Sequence, residues 1–251
     1  MSAALVTGGG RRIGSALALA LGDLGLHVLV HYFQSRGGAN ETVAAIRKKG
    51  GKADLIRADL SDLAEVVALV PRALQLAEPI SVLVNSASLF ERDELHDLEG
   101  PRFDRQIAVN LRAPAFLAKA FADALPKSET GVIVNVADTK VVNPDPVFLS
   151  YGLSKIALDG LTSMLALALA PRIRVNTLAP GMTLQSGAQT QKGFEAARRK
   201  TPLERSSELA DLQQALIYLV QAKAVTGYRL VVDGGAHLQG PLGSGRQRVR
   251  P

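Results

Sequence analysis

The run Ala3-Ala4-Leu5-Val6 opens directly into Thr7-Gly8-Gly9-Gly10-Arg11-Arg12-Ile13-Gly14. An apolar stretch that ends in a glycine turn and then takes up helical periodicity is a strand–turn–helix unit. Glycines there let the backbone take positive φ and approach a ligand with no Cβ in the way. The helix that follows offers unpaired N–H groups and a positive dipole end, which suit a pyrophosphate. A tight turn with no ligand would satisfy the same residues, so the reading depends on the rest of the chain.

The strand–helix alternation continues to the end. The spacing predicts strands over Ala3–Thr7, Leu26–Tyr32, Ala53–Ala58, Ile80–Asn85, Gly131–Val136, Arg172–Leu178 and Tyr228–Val232. Helices are predicted over Arg12–Leu24, Gly38–Lys49, Asp62–Ala77, Gly100–Leu125, Tyr151–Ala170 and Ser207–Gln221, with Pro114 kinking the fourth or being accommodated in it. Strands this apolar, each followed by a helix, imply a parallel sheet covered on both faces. The fold class is α/β: one doubly wound sheet of Rossmann type, seven-stranded and parallel, forming a single domain over residues 1–238. Ligands of such sheets bind at the carboxyl ends of the strands. That singles out Thr7–Gly14, His31–Arg36, Asp59-Leu60, Asn85–Phe90, Asp138 and Pro180-Gly181.

Composition removes several function classes. The chain has no Cys, which excludes disulfides, thiol nucleophiles and thiolate metal sites. Its four His residues (His27, His31, His96, His237) form no close pair at ligand spacing, so no metal site is expected. The first strand begins within a few residues of Met1 and no run matches a membrane span, so a cytoplasmic protein is expected. The net charge of +6 raises nucleic acid as a partner. Arg246, Arg248 and Arg250 account for half of it, however, in a Gly/Pro-rich stretch read as a basic, flexible tail over 239–251.

The second strand end bears on which cofactor is held. A site for NAD usually places an acid there, on the ribose 2′-hydroxyl. Here the residues are His31-Tyr32-Phe33-Gln34-Ser35-Arg36, with no acid before Glu41. Ser35 and Arg36, with Arg11 nearby, suit a 2′-phosphate instead; a solvated loop with an incidental arginine is the alternative. In Tyr151-Gly152-Leu153-Ser154-Lys155 the phenol and the ammonium share a helix face. A nearby Lys⁺ favours phenolate, so the Tyr151 pKa is expected to fall toward a range useful for proton transfer. Asp138 precedes Tyr151 by 13 residues, and Asn110 is a polar residue within an otherwise apolar helix.

These features together resemble the short-chain dehydrogenase/reductase family: the glycine turn, Ala58-Asp59-Leu60, Asn85-Ser86-Ala87-Ser88, Val109-Asn110, Tyr151 with Lys155, Ile173–Gly181 and Val232–Gly235. The resemblance runs from about Ala3 to about Leu238. It implies catalytic roles for Asn110, Tyr151 and Lys155, and an NADP(H) site drawn from Gly8, Arg11, Arg12, Ile13, Tyr32, Ser35, Arg36, Asp59, Leu60, Asn85, Ala87, Lys155, Pro180 and Gly181. It also implies a homotetramer, with Val232–Gly235 near a subunit interface. Two departures narrow it: Arg12 stands for the usual third small residue of the turn, and Asp138 for the usual catalytic Ser. Both resemble pteridine reductases and dihydromonapterin reductases, as do His31-Tyr32 and Ser35, although Gln34 replaces a frequent arginine.

The resulting expectation is an NADPH-dependent reductase of a pterin or dihydropteridine. Asp138 joins Tyr151 in handling the proton; Arg12, Ser88, Phe90 and Met182 complete the substrate side, and 182–202 forms a lid. Phe90 reads equally as a stacking platform or a core residue, and Asp138 also fits a loop cap. A reductase of 3-oxoacyl thioesters or small ketones, and a non-catalytic nucleotide- or RNA-binding protein, are the competing readings.

Overall fold

In the computed structural model, which describes residues 2–185 and 189–239, strand β1 (Ala3–Thr7) is buried along its whole length. Alternate side chains leave a strand on opposite faces. Ala3 and Leu5 accordingly join one apolar core, and Ala4 and Val6 the other. A strand covered on both sides has to be apolar throughout, which is why the opening run of the sequence shows no polar alternation.

The chain then runs α1 (Arg12–Asp23), β2 (His27–Tyr32), α2 (Arg36–Lys48), β3 (Ala53–Arg57), α3 (Leu63–Leu74) and β4 (Ile80–Asn85). It continues with α4 (Gly100–Ile107), α5 (Ala113–Ala124), β5 (Gly131–Val136), α6 (Leu149–Leu169) and β6 (Ile173–Pro180). It closes with α7 (Gln191–Arg198), α8 (Leu209–Gln221) and β7 (Arg229–Val232). The seven strands form one parallel sheet in the order β3-β2-β1-β4-β5-β6-β7. Leu17 and Leu21 of α1, Val43 and Ile46 of α2 and Leu212 and Leu216 of α8 cover one face. Val66 and Leu69 of α3, Leu117 and Phe121 of α5 and Ala166 of α6 cover the other. The strand order reverses between β1 and β4, where Thr7 lies opposite Asn85. The crevice at that reversal is where this class of sheet takes ligands.

Three expectations change. The single helix over Gly100–Leu125 is two helices joined by a π-helical turn at Ala108–Arg112, with Pro114 in the first turn of α5. The backbone stays helical through Arg112 and Ala113, and the Ala113 N–H bonds the Ala108 carbonyl five residues back, so the wider π turn accommodates the N–H that Pro114 lacks. The wider turn also carries Asn110. Secondly, α6 is long and apolar enough to cross a membrane by length and composition, contrary to the sequence reading. It nevertheless buries Tyr151, Lys155 and Asp159 within the protein. Thirdly, 182–202 is not all loop: α7 lies in it, with Phe194 buried. Residues 186–188 of that lid, and all but the first residue of the basic tail, lie outside the described residues.

Candidate active site

The glycine turn is set by steric limits. A Cβ on Gly14 would lie 2.2 Å from the Gly8 carbonyl oxygen, and Gly8 itself has φ +65° with Ala87 Cα 2.8 Å from where its Cβ would be. No side chain caps α1, and its first turn carries no acid, so the helix start faces the crevice with its N–H groups available. Arg12 takes φ +54°, a left-handed conformation that costs a non-glycine residue energy and clusters at functional sites. Its Nη1 donates to the Gln185 carbonyl at 3.0 Å, tying the turn to the start of the proposed lid.

Two buried side chains hold this turn from behind. Thr7 Oγ1 accepts the Ser86 and Ala87 N–H groups at 3.0 and 3.1 Å, joining the loops after β1 and β4. His31 Nδ1 accepts the Gly8 N–H at 3.1 Å, and its Nε2 meets the Ala58 carbonyl at 3.0 Å. A carbonyl only accepts, so Nε2 carries the proton and the ring is neutral. Burial agrees, pushing the His31 pKa down to about 4. Beside the turn, Ser35 occupies the position before α2 without a side-chain cap bond, and Arg11 and Arg36 are exposed with no acid in the first turn of α2.

The substrate side is a network of side chains. Asn110 is fully buried. Its Nδ2 donates to the Leu89 carbonyl (2.9 Å) and to Ser154 Oγ (3.0 Å). Its Oδ1 accepts from Leu89 N–H (2.8 Å) and Ser88 Oγ (3.2 Å). It thus fastens the loop after β4 to α6. Asn85 Nδ2 donates to Asn135 Oδ1 (2.8 Å), and Asn135 Nδ2 to Thr162 Oγ1 (2.9 Å), so β4, β5 and α6 are locked in depth. Phe90 is 43% exposed, which answers its alternatives against the core. Its ring stacks on Phe148 at 4.3 Å and meets Tyr151 edge-on at 4.7 Å.

Asp138 makes the contacts that both of its candidate roles require. Its Oδ1 accepts the Lys140 N–H at 2.9 Å and caps a short helical turn, while its Oδ2 accepts the Tyr151 hydroxyl at 2.9 Å. The phenol is therefore not activated as expected. Burial, then the Asp138 charge and hydrogen bond, raise the Tyr151 pKa well above its ordinary value of 10. Lys155 cannot reverse this, because it is itself buried and its ammonium donates to the Val136 carbonyl at 2.8 Å. Burial lowers the Lys155 pKa to about 8, with Asp138 opposing that shift. In this arrangement Tyr151 holds its proton and shares it with Asp138 as a hydrogen-bond donor.

The remaining expected residues scatter. Tyr32 and Leu60 are buried in the two cores, and Ile13 packs against one of them. Asp59 accepts from Ser61 N–H and Oγ at the end of β3. Pro180 ends β6, and Gly181 is pressed against Asp233, 2.6 Å from Asp233 Cβ to the place of its own Cβ. Met182 lies half-buried just beyond. Sequence reasoning passed over Ser154, Phe148 and Asp93, and singled out Thr7 only as part of the glycine turn. Phe148 is left-handed (φ +65°), and Asp93 is fully buried in a run of charged residues, signals that only coordinates supply.

An NADP(H)-type dinucleotide fits these residues. The uncapped α1 start and the Gly8–Gly14 cradle suit the pyrophosphate, and Arg11, Ser35 and Arg36 a 2′-phosphate. Asn85 Oδ1, buried without a partner at the reversal point, offers a further acceptor.

Comparison with known proteins agrees with this geometry. The family model described as short chain dehydrogenase matches residues 2–195. The solved structure of FolM alternative dihydrofolate reductase 1 from Brucella canis, complexed with NADP, superposes with a TM-score of 0.92 at 40% identity, over 97% of this chain and 96% of that one. The uncharacterized oxidoreductase YgfF of Escherichia coli is 33% identical over 94% of this chain and 100% of its own length. A 3-oxoacyl-[acyl-carrier-protein] reductase of Synechocystis is 31% identical, over 92% of this chain and 95% of its own.

Proposed function

We propose, for a chain that belongs to the short-chain dehydrogenase family, the activity of an NADPH-dependent reductase acting on a pterin or dihydropteridine. The observation that carries this reading is the Asp138–Tyr151 hydrogen bond beside the exposed ring of Phe90. The family pattern has serine at the Asp138 position, and a hydroxyl there serves to polarise a carbonyl oxygen. A carboxylate also accepts N–H groups, which a flat, nitrogen-rich ring presents at its edge. The likeness to a dihydrofolate reductase structure supports the same substrate class.

A reduced dinucleotide held through its pyrophosphate by the Gly8–Gly14 turn would supply the hydride. Phe90 offers a flat apolar surface, backed by Phe148, on which a conjugated ring can stack. Tyr151 keeps its proton at neutral pH and gives it to the ring nitrogen next to the reduced carbon. Lys155 sets a positive charge behind the phenol, 5.7 Å from its ring centre, where it opposes the charge left on the tyrosine. Asn110 holds the Ser88–Leu89 loop in place for this step. Arg12, tied to Gln185, and the nearby Met182 complete the substrate side, and a cytoplasmic setting accompanies this reading.

The test is NADPH consumption by the purified protein with a dihydropterin beside an acetoacetyl thioester. Turnover of the dihydropterin at least about tenfold faster is expected, since the choice rests on one carboxylate hydrogen bond of roughly 1.5–3 kcal/mol. The reverse preference hands the site to the 3-oxoacyl reading. The same proposal includes a homotetramer. Leu153, Ile156, Met164 and Leu167 of α6 and Phe116 of α5 are exposed apolar side chains, an arrangement that suits a second copy. Light scattering at micromolar protein should give four chains, and a monomer removes that part.

A further inference from the structure

Residues 91–94 read Glu-Arg-Asp-Glu, a charged run on the loop leading away from β4. Arg92 is 67% exposed at its side chain and Glu91 38%, yet Asp93 is fully buried. A carboxylate removed from water must be satisfied by hydrogen bonds. Those of Asp93 all come from the start of α6, 57 residues further on. Its Oδ1 accepts the Ser150 N–H at 3.0 Å, its Oδ2 accepts the Ser150 hydroxyl, and its main-chain carbonyl accepts the Leu149 N–H at 3.0 Å.

These are the first two residues of α6, and the helix has no cap of its own. The residue before them is Phe148, which carries no polar side chain and is held left-handed at φ +65°. Asp93 therefore stands in for the missing cap from a different part of the chain, and places its charge at the positive end of the helix. Tyr151 is the next residue of α6. Phe90, three residues before Asp93, lies across Phe148 and against the Tyr151 ring. One loop thus carries the stacking surface and grips the helix that carries the proton donor.

We propose that Asp93 is a positioning residue that sets the Tyr151 hydroxyl against Asp138 and Phe90 by anchoring the first turn of α6 through Ser150. This rests on the reading of Tyr151 as the proton donor and holds for either substrate class. Asp93 touches no reacting atom, so its loss moves turnover rather than cofactor affinity.

The experiment compares Asp93→Ala, Asp93→Asn and Ser150→Ala with the unmodified enzyme, using whichever of dihydropterin or acetoacetyl thioester the unmodified enzyme reduces. A failure of the pterin reading then changes the substrate and leaves this proposal testable. Asp93→Ala should lower kcat by about tenfold or more, in line with the roughly 10²-fold cost of misplacing a reacting group by on the order of 1 Å. NADPH affinity by fluorescence should stay within about twofold, and Asp93→Asn, which keeps one acceptor for the Ser150 N–H, should recover part of the loss. A readout independent of turnover is the Tyr151 ring in ¹³C-tyrosine-labelled protein, assigned with Tyr151→Phe. Its titration, held well above 10 by burial and Asp138, should move down toward 10 in Asp93→Ala. If Asp93→Ala does not fold, Ser150→Ala, which deletes only the hydroxyl arm, must show the kcat loss and the titration shift in smaller measure. A folded variant with normal kcat and an unmoved Tyr151 titration overturns the proposal, even where its melting temperature has dropped.

Discussion

On the β1–β2 side of the crevice the chain is held by close main-chain approach, whereas on the β5–α6 side it is held by side chains that reach far along the sequence. Gly8 and Gly14 define the first region because nothing larger fits beside Ala87 and the Gly8 carbonyl, and the cations Arg11 and Arg36 stand at its exposed rim. In the second, Asn110 reaches Ser154 over 44 residues and Asp93 reaches Ser150 over 57, and both are fully buried. A region built by excluded volume tolerates changes at its rim and fails abruptly at its glycines. A region built by a polar network loses function when one member goes, because the partners left behind are buried and unpaired. The cofactor half is thus a shape, and the catalytic half an alignment.

The contrast breaks hardest at Asp138. If the catalytic half is an alignment around the Tyr151 proton, Asp138→Asn should keep the fold and NADPH binding but reduce dihydropterin turnover by about 10²–10⁴, the usual range for losing an acid–base group. Asp138→Ser, although it restores the residue common in the family, should also be impaired with pterins. The two variants are assayed for turnover beside cofactor affinity by fluorescence. Near-normal turnover in both leaves Asp138 as the cap of the turn at Thr139–Val141 and nothing more.

The contrast sharpens at His31, a buried titratable side chain that holds the glycine turn through the Gly8 N–H. The folded ring has a pKa of about 4 against 6.5 when unfolded, because burial disfavours its charge. Between these values the unfolded chain binds the extra proton and the folded one does not, so stability falls as pH drops from about 6.5 to about 4. Above 6.5 His31 adds no penalty; below 4 the penalty is complete, at about 3 kcal/mol for this shift. The Glu65 and Asp59 carboxylates nearby favour the proton and Arg72 opposes it, but burial outweighs all three. Protonation also turns Nδ1 into a donor facing the Gly8 N–H, so NADPH affinity should weaken over the same window. Urea unfolding at a series of pH values is expected to show a shallower acid slope in His31→Gln, whose amide supplies one acceptor and one donor. Equal slopes in the two proteins would show that the ring is not the source.

How much of this was legible in the sequence follows the same division. The glycine turn, the seven apolar strands and the Tyr151–Lys155 spacing could be read because excluded volume and helical period leave local signatures. The site's alignment could not. The lysine four residues from Tyr151 suggested a lowered phenol pKa, yet burial and Asp138 raise it, and burial is a property of the assembled fold. The break before Pro114 went unread because the proline dominates the local pattern, while the π turn carries Asn110 to partners at Leu89 and Ser154 that are distant in sequence. Asp93, set among Glu91, Arg92 and Glu94, carries no local mark that it is buried. Tyr32 and Leu60, expected near a cofactor from their motifs, have their side chains in the cores, a burial that only the assembled sheet reveals.

The smallest effect is expected at the rim of the cofactor half, at Arg36. No acid precedes Glu41 after β2, and the first turn of α2 carries none, so an added phosphate on the ribose would meet Ser35, Arg36 and Arg11 with no carboxylate of that stretch against it. Arg36 is exposed, and water and salt weaken a charged contact in that setting. Its loss should therefore cost the low end of what a charged hydrogen bond contributes, about 1.5 kcal/mol, or roughly tenfold in KM for NADPH. NADH lacks the phosphate, so its KM should change by less than about twofold, with kcat unaltered for both cofactors because nothing on the β5–α6 side has moved. Raising the salt concentration should shrink the NADPH effect further, since the contact is screened. Measuring both cofactors in Arg36→Ala at low and moderate ionic strength checks the sign and the site together. Equal use of NADPH and NADH by the unmodified protein would mean that the rim does not select a phosphate. An Arg36→Ala loss that appeared in kcat instead would mean that the two halves are coupled more tightly than their construction implies.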